Sequence, residues 1–249
     1  WDTLEKAVSG LQNANMKIKY APFPVVTAPV GMVMGGGCEV AMHGDAICAA
    51  AETYIGLVEV GVGVVPAGGG CKEYLIRNVE AAINNNYHPN TFFFIAKAFE
   101  NIMMPMPGKG LAMNAHEAKK LNIFRPSDKI TLNRDYLLGD AKQMVIGMHR
   151  AGYNRKSPRN DIRMAGFQFW AAFKQNLWQM RQGEFISDHD VLIGDHVAKI
   201  LTGGDIPQNS VVDEQFILDL ERESFLSLCG TEKTQERTQY MLQNNKPLR

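Results

Sequence analysis

The stretch from Pro24 to Gly70 constrains this 249-residue chain more than any other. Pro24-Val-Val-Thr-Ala-Pro-Val30 is short, apolar and β-branched, and it reads as a buried strand. Met32 to Gly37 then turns, Cys38-Glu-Val-Ala-Met42 reads as the opening of a helix, and the apolar runs Ala46–Ala51 and Tyr54–Val58 follow. Gly61, Gly63, Pro66, Gly68, Gly69 and Gly70 punctuate what comes next. Strand, turn, helix and strand at this density predict an α/β domain with a mostly buried sheet. The same residues argue against a membrane span. Tyr20 to Cys38 is long and uncharged, but Pro22, Pro24, Pro29 and the glycines at 31, 35, 36 and 37 suit strands and turns, not a bilayer helix.

Helical patterns flank this region. Leu4, Val8, Leu11 and Ile18 recur at helical spacing over Asp2–Ile18 and predict a helix covering a core face. Asn114 with Glu117, and Ser187 with Asp190, form capping-box patterns; the second precedes Val191–Leu201 and the stop signal Gly203-Gly204. Asp213–Leu228 carries Phe216, Leu220 and Phe225 as apolar markers, Gly230 closes it, and Thr231 caps a last short helix to Leu242. Residues 1–145 therefore read as an α/β unit. Residues 146–249 read as a helical region packing on that unit or on a neighbouring subunit, with Tyr153–Asp161 as polar loop.

Charge and composition exclude several functions. Lys plus Arg total 26 and Asp plus Glu total 26, so the formal charge is zero and no basic run offers a handle for nucleic acid or an anionic membrane. A hydrophobic fraction of 45% with 21% charged residues excludes wholesale disorder. Four scattered cysteines without a C-x-x-C pair predict reduced thiols and a cytoplasmic location. Six histidines lack zinc-ligand spacing, so no metal is expected. Gly61-Val-Gly-Val-Val-Pro66 lacks the third glycine of a dinucleotide fingerprint, and no Walker-type loop occurs.

Two glutamates stand apart. Glu39 follows the triple glycine Gly35–Gly37, and Glu59 lies among Leu57, Val58 and Val60. A carboxylate in such apolar surroundings needs a partner, a proton or a function. If the two face each other, desolvation and repulsion raise at least one pKa, so that acid and carboxylate coexist near neutral pH. The triple glycine is explained by a tight turn, or by an anion site in which N–H groups at a helix start stabilise a developing oxyanion.

These residues resemble the crotonase (enoyl-CoA hydratase/isomerase) superfamily. The matching segments are P-V-V-T-A-P-V-G, G-G-G-C-E, E-V-G-V-G-V-V-P-A-G-G-G, the helix N-A-H-E-A-K-K-L-N-I at Asn114–Ile123, and the ending with E-R-E-S-F-L, T-E-K-T-Q-E-R and K-P. The resemblance implies a ββα spiral core followed by an all-helical C-terminal region. The spacing between the two glutamates is the one the family's hydratases use, whereas its shorter isomerases usually keep only the later glutamate. The implied activity is addition of water to a trans-2-enoyl-CoA in fatty-acid β-oxidation, with enoyl-CoA isomerisation or a non-catalytic assembly module as alternatives. Glu39 and Glu59 would hold the water as base and acid, and the N–H of Gly36 would receive the thioester enolate oxygen. Gly35, Gly37, Ala67, Gly68 and Gly69 would line the substrate. Ala67 stands where the family usually has glycine, and Cys38 is read as packing. No cofactor is implied within these residues, and acyl-CoA is the substrate partner.

The helical insertions most resemble the hydratase portion of bacterial proteins fused to a 3-hydroxyacyl-CoA dehydrogenase. A homo-oligomer or a fused, NAD-binding dehydrogenase is therefore expected. The family's second oxyanion N–H comes from an earlier S-A-G-A-D-like segment, and Trp1 falls after that point, so the core is expected to be incomplete at its N-terminus. Lys72–Met113, with Phe92-Phe-Phe94, Met103, Met104 and Met106, exceeds the family's compact helix and loop. Core packing plus a surface loop is the expectation there, in preference to a reshaped acyl pocket.

Overall fold

A computed structural model describes residues 1–84 and 92–248. The chain opens with α1 (Asp2–Lys19), which has Asp2 and Glu5 in its first turn and Lys17 and Lys19 in its last, matching the helix dipole. β1 (Val26–Thr27), β2 (Met32–Met34), α2 (Gly36–Met42), β3 (Ala46–Ala50) and β4 (Tyr54–Gly56) follow. A 3-10 turn at Glu59–Val62 then leads to α3 (Gly70–Asn84). Successive strands alternate between two sheets. β1 pairs in parallel with β3, and β2 in parallel with β4. Each ββα turn thus adds one strand to each sheet, which is the spiral expected from sequence.

α4 (Phe92–Met103), β5 (Leu111–Ala112), α5 (Ala115–Lys120), β6 (Lys129–Thr131) and α6 (Leu137–Arg150) complete this part. β6 extends the first sheet in the order β1-β3-β6, and β5 closes the second as β2-β4-β5. β3 is buried on both faces, as a central parallel strand must be. Ile47 and Ala49 face the main core, while Cys48 and Ala50 pack with Leu137 and Ala141 of α6.

The remainder is helical apart from a two-residue antiparallel ladder. β7 (Ile162–Arg163) precedes α7 (Phe167–Gln182) and α8 (Asp188–Thr202), and β8 (Val211–Val212) precedes α9 (Glu214–Cys229) and α10 (Glu232–Asn244). Ser187 and Asp190 form the expected reciprocal capping box, and Gly203 ends α8 at φ 88°. Asn114 caps α5, but the Glu117 side chain reaches past it to the N–H of Met113. One apolar core runs from Cys38 and Ile55 through Phe173, Leu177, Ile193 and Val197 to Ile217 and Leu228. The Tyr153–Asp161 loop is tied to the front of the chain: Tyr153 Oη lies 3.1 Å from Asp45, and Arg155 Nε donates to the Tyr20 carbonyl at 2.9 Å.

Two expectations need correction. Only Val26 and Thr27 of Pro24–Val30 pair as strand, and they are half-buried because β1 lies at a sheet edge. Leu11 is 38% exposed, and the buried stripe of α1 is instead Val8, Gln12 and Asn15. Within Lys72–Met113 a loop over residues 104–110, exposed at Met106, Pro107 and Gly108, matches the expected surface loop, and residues 85–91 lie outside the described residues. Before that loop, α4 packs as expected, with Ile95, Phe99 and Ile102 in the core.

Candidate active site

The N-terminus of α2 and the turn before α3 build the site. Gly35 caps α2 at φ 56°, a conformation open to glycine, and donates its N–H to the Gly56 carbonyl of β4 at 2.9 Å. The first intrahelical bond runs from Glu39 N–H to the Gly35 carbonyl. The N–H groups of Gly36 and Gly37 therefore precede the helical ladder, on a first turn exposed at both residues. A Cβ on Gly35 would sit 3.1 Å from Glu59 Oε1, and one on Gly36 would sit 4.0 Å from Glu39 Oε2. The triple glycine thus separates the two carboxylates and leaves room for both.

Glu39 is 2% exposed, and its Oε1 accepts the N–H groups of Gly68 and Gly70, each at 2.8 Å. Glu59 opens the 3-10 turn, keeps part of its surface open, and accepts the Val58 N–H at 2.8 Å. Burial lifts the Glu39 carboxyl to about 7, although the Gly70 and Gly68 N–H groups and the Lys72 ammonium pull the other way. Burial, and next the charge of Glu39, lift Glu59 to about 8. A pair of carboxyls raised this way holds a proton near neutral pH, so the site offers an acid and a base together.

The predicted substrate-lining residues divide between the two sides of Glu39. Gly35, Gly36 and Gly37 form its front edge, while Ala67, Gly68 and Gly69 form a buried turn behind it. From Gly68 to Gly70 the lack of side chains is obligatory. A Cβ on Gly68 would lie 2.4 Å from Glu39 Oε2, and one on Gly70 would lie 2.7 Å from Glu39 Oε1. Gly69, at φ 101°, backs onto the His43 ring, where a Cβ would approach to 2.7 Å. Cys38 is fully buried with its Sγ 3.7 Å from Met42 Sδ, in keeping with packing.

Other polar groups at the site were not foreseen. Gln12 Nε2 donates to the Ala67 and Leu218 carbonyls and Asn15 Nδ2 to the Gly68 carbonyl, all at 2.8 Å. Glu221 of α9 accepts the Gly69 N–H at 2.8 Å and the Lys72 N–H at 2.7 Å. Just beyond, Lys19, Glu73, Lys72 and Glu214 close a buried ring of ion pairs 2.6–2.9 Å long, joined by the Tyr20 hydroxyl on Glu214. Gln12 and Asn15 did carry a signal, since they share the Val8 stripe at helical spacing. Glu221 sits 152 positions from its partner Gly69, a distance no local pattern spans.

An apolar cavity of about 920 Å³ adjoins the turn that carries Glu59. Val60 and Gly61 form one wall, and Phe92, Phe99, Phe173 and Leu177 contribute to the rest. The aromatic and methionine segment expected only to pack therefore also lines a cavity. Among the described residues no three His, Cys, Asp or Glu side chains group as metal ligands, and no helix is long and apolar enough to cross a membrane.

Residues 4–88 match the enoyl-CoA hydratase/isomerase family. Over 238 residues the chain is 40% identical to a Bacillus subtilis protein named "Probable 3-hydroxyacyl-CoA dehydrogenase". The match covers 96% of this chain but 29% of that protein, so the chain spans less than a third of its relative. A Clostridium acetobutylicum short-chain-enoyl-CoA hydratase is 45% identical over 47 residues, 19% of this chain and 18% of that one. In fold, the chain resembles an enoyl-CoA hydratase from Rhodobacter sphaeroides with a TM-score of 0.56 at 15% identity, covering 99% of this chain and 69% of the other.

Proposed function

The chain belongs to the crotonase (enoyl-CoA hydratase/isomerase) superfamily, and from that premise we propose that it hydrates trans-2-enoyl-CoA thioesters in fatty-acid oxidation. The observation that carries this reading is the pair Glu39 and Glu59, raised to about 7 and about 8 on either side of the Gly35–Gly36 turn. In this reading the attacking water is held between them. The ionised glutamate takes a proton from the water as its oxygen attacks the β-carbon, and the π electrons move onto the thioester oxygen. The Gly36 N–H receives that enolate oxygen. The protonated glutamate then delivers its proton to the α-carbon, giving the 3-hydroxyacyl-CoA. The pair ends with its single proton on the other glutamate, so exchange between them resets the site. The cavity beside Val60 takes the acyl tail in this reading.

The 3-hydroxyacyl-CoA product is the substrate of a 3-hydroxyacyl-CoA dehydrogenase, the activity named for the longer Bacillus relative. A parent polypeptide carrying that NAD-dependent step would oxidise the new hydroxyl in turn. Free thiols at Cys38, Cys48, Cys71 and Cys229 fit a reducing, cytoplasmic setting.

Hydration of crotonyl-CoA by the full polypeptide, followed by loss of the conjugated thioester absorbance, tests the reaction. Robust turnover that falls in both Glu39→Gln and Glu59→Gln supports it. Near-normal turnover in both variants overturns it. Conversion of a 3-enoyl-CoA to the 2-enoyl isomer without net hydration would assign isomerisation instead. Acyl-CoA binding with no turnover at all would favour an assembly module.

A further inference from the structure

We propose that Glu221, on the C-terminal helix α9, is the positioning residue that holds Glu39 in register. It acts through the turn Ala67–Lys72, and the proposal rests on the reading of Glu39 as a catalytic carboxylate. That turn contains three consecutive glycines, so its own residues impose little conformational preference. Its order comes from outside. The Ala67 and Gly68 carbonyls accept from Gln12 and Asn15 of α1. The Gly68 and Gly70 N–H groups point one way, onto Oε1 of Glu39. Those of Gly69 and Lys72 point the other way, onto Oε2 and Oε1 of Glu221 at 2.8 and 2.7 Å. The Gly69 carbonyl accepts the Glu73 N–H at 2.9 Å and starts α3.

The two carboxyl groups therefore accept N–H groups of one turn from opposite sides, and burial, next the charge of Glu39, lifts the Glu221 carboxyl well above its usual range. Glu221 is fully buried, so bulk solvent does not share these N–H groups with its oxygens. Without those oxygens two buried N–H donors would be orphaned at a glycine turn, and the turn would relax toward other partners. Rotation of the Gly69 peptide carries the Gly68 and Gly70 amides with it, and these fix where Glu39 Oε1 sits. A misplacement near 1 Å at a reacting group costs about 100-fold in rate. Glu221's hydrogen bonds run to the backbone of this turn and none to Glu39 or Glu59, which separates positioning from catalysis. The helical C-terminal region, read from sequence as packing or assembly, in this way supplies a group that the active site depends on.

The test compares Glu221→Ala and Glu221→Gln with the wild-type full chain. Activity is normalised to folded protein, and butyryl-CoA serves as an unreactive probe of binding. Glu221→Ala should lose about 10- to 100-fold in kcat on crotonyl-CoA, with butyryl-CoA affinity within about threefold of wild type. Glu221→Gln keeps one carbonyl acceptor and should recover part of the loss. Hydrogen exchange gives a readout independent of the reaction. The Gly68 and Gly70 amides, which Glu221 does not touch, should exchange faster in Glu221→Ala together with those of Gly69 and Lys72. Unchanged kcat per folded molecule, or faster exchange confined to Gly69 and Lys72, would overturn the proposal even with wild-type hydration intact. Absence of wild-type hydration would overturn the catalytic reading instead, while the exchange pattern would still report whether Glu221 holds the turn.

Discussion

Two buried acidic clusters meet at the start of α3, and they behave oppositely. Glu39 and Glu59 are sequestered with only N–H donors within hydrogen-bond reach, and burial raises both carboxyls. A few residues on, Glu73 and Glu214 each lie between two ammonium groups in the ring with Lys19 and Lys72. Burial would raise Glu73 as well, but Lys72 and Lys19 outweigh it and hold the carboxyl well below its usual range. Lys72 and Lys19 likewise hold Glu214 at about 2 against its burial. The fold buries carboxylates in both places. A cation within reach is what turns one cluster into a fixed joint between α1, α3 and α9, and its absence leaves the other able to exchange protons near neutral pH.

The sharpest way to break this contrast is to neutralise one acid on each side. Glu39→Gln and Glu59→Gln should each lower kcat by about 10²–10⁴-fold while the melting temperature holds or rises. Lys72→Met should do the reverse. It leaves Glu73 and Glu214 short of charge and should cost about 3–5 kcal/mol in denaturant unfolding, with kcat per folded molecule changed far less.

The next effect is the opposite pH dependence of the two clusters. Glu39 titrates at about 7 when folded against an ordinary 4.5, so the folded chain binds more protons than the unfolded one between those values. Stability should fall as pH rises through that window, by up to ~3 kcal/mol from Glu39 alone, and Glu39→Gln should reduce this slope to the share of Glu59. Glu214 titrates at about 2, so its contribution is complete above about 4.5 and is lost as pH falls toward 2. The deficit of Glu214→Gln relative to wild type should therefore shrink on acidification. Unfolding curves from pH 3 to 8 would show both slopes, and slopes of one sign would refute the contrast. In the same range kcat/KM should be bell-shaped, with limbs near 7 and 8 belonging to the glutamate pair.

The smallest expected effect serves as the control. Lys199 and Glu223 form a 2.9 Å pair on the surface, with the glutamate side chain 65% exposed. Lys199→Ala should change stability by less than about 1 kcal/mol, because solvent already screens the pair.

The parts of the molecule legible in sequence are those whose cause is local. Glycines 35–37 and 68–70 announced tight turns, Ser187 and Asp190 announced a helix start, and the valines around Glu59 announced a carboxyl largely withdrawn from water. The parts that escaped are polar residues whose partners lie far along the chain. Gln12 on α1 shares the Val8 stripe, but nothing near it names its partner, the Leu218 carbonyl 206 positions away. Lys72 and Glu73 carry no local sign of their pairing, because nothing nearby reveals that Lys19 and Glu214 arrive from two other helices. Pro24–Val30 was apolar enough for a central strand, but its place at a sheet edge is decided by topology, which composition does not encode.

The last helix has a consequence for inheritance. Thr234 Oγ1 of α10 donates to the Gly63 carbonyl at 2.7 Å and Thr238 Oγ1 to the Val62 carbonyl at 3.3 Å, so α10 pins the turn that Glu59 opens. A stop codon shortly after Gly230 would spare every residue of the glycine-and-glutamate motif and still release one of its two acids. On the proposed reading, alleles that look intact over the recognisable motif would then lose hydration, and mutations near the end of this region would segregate with that loss.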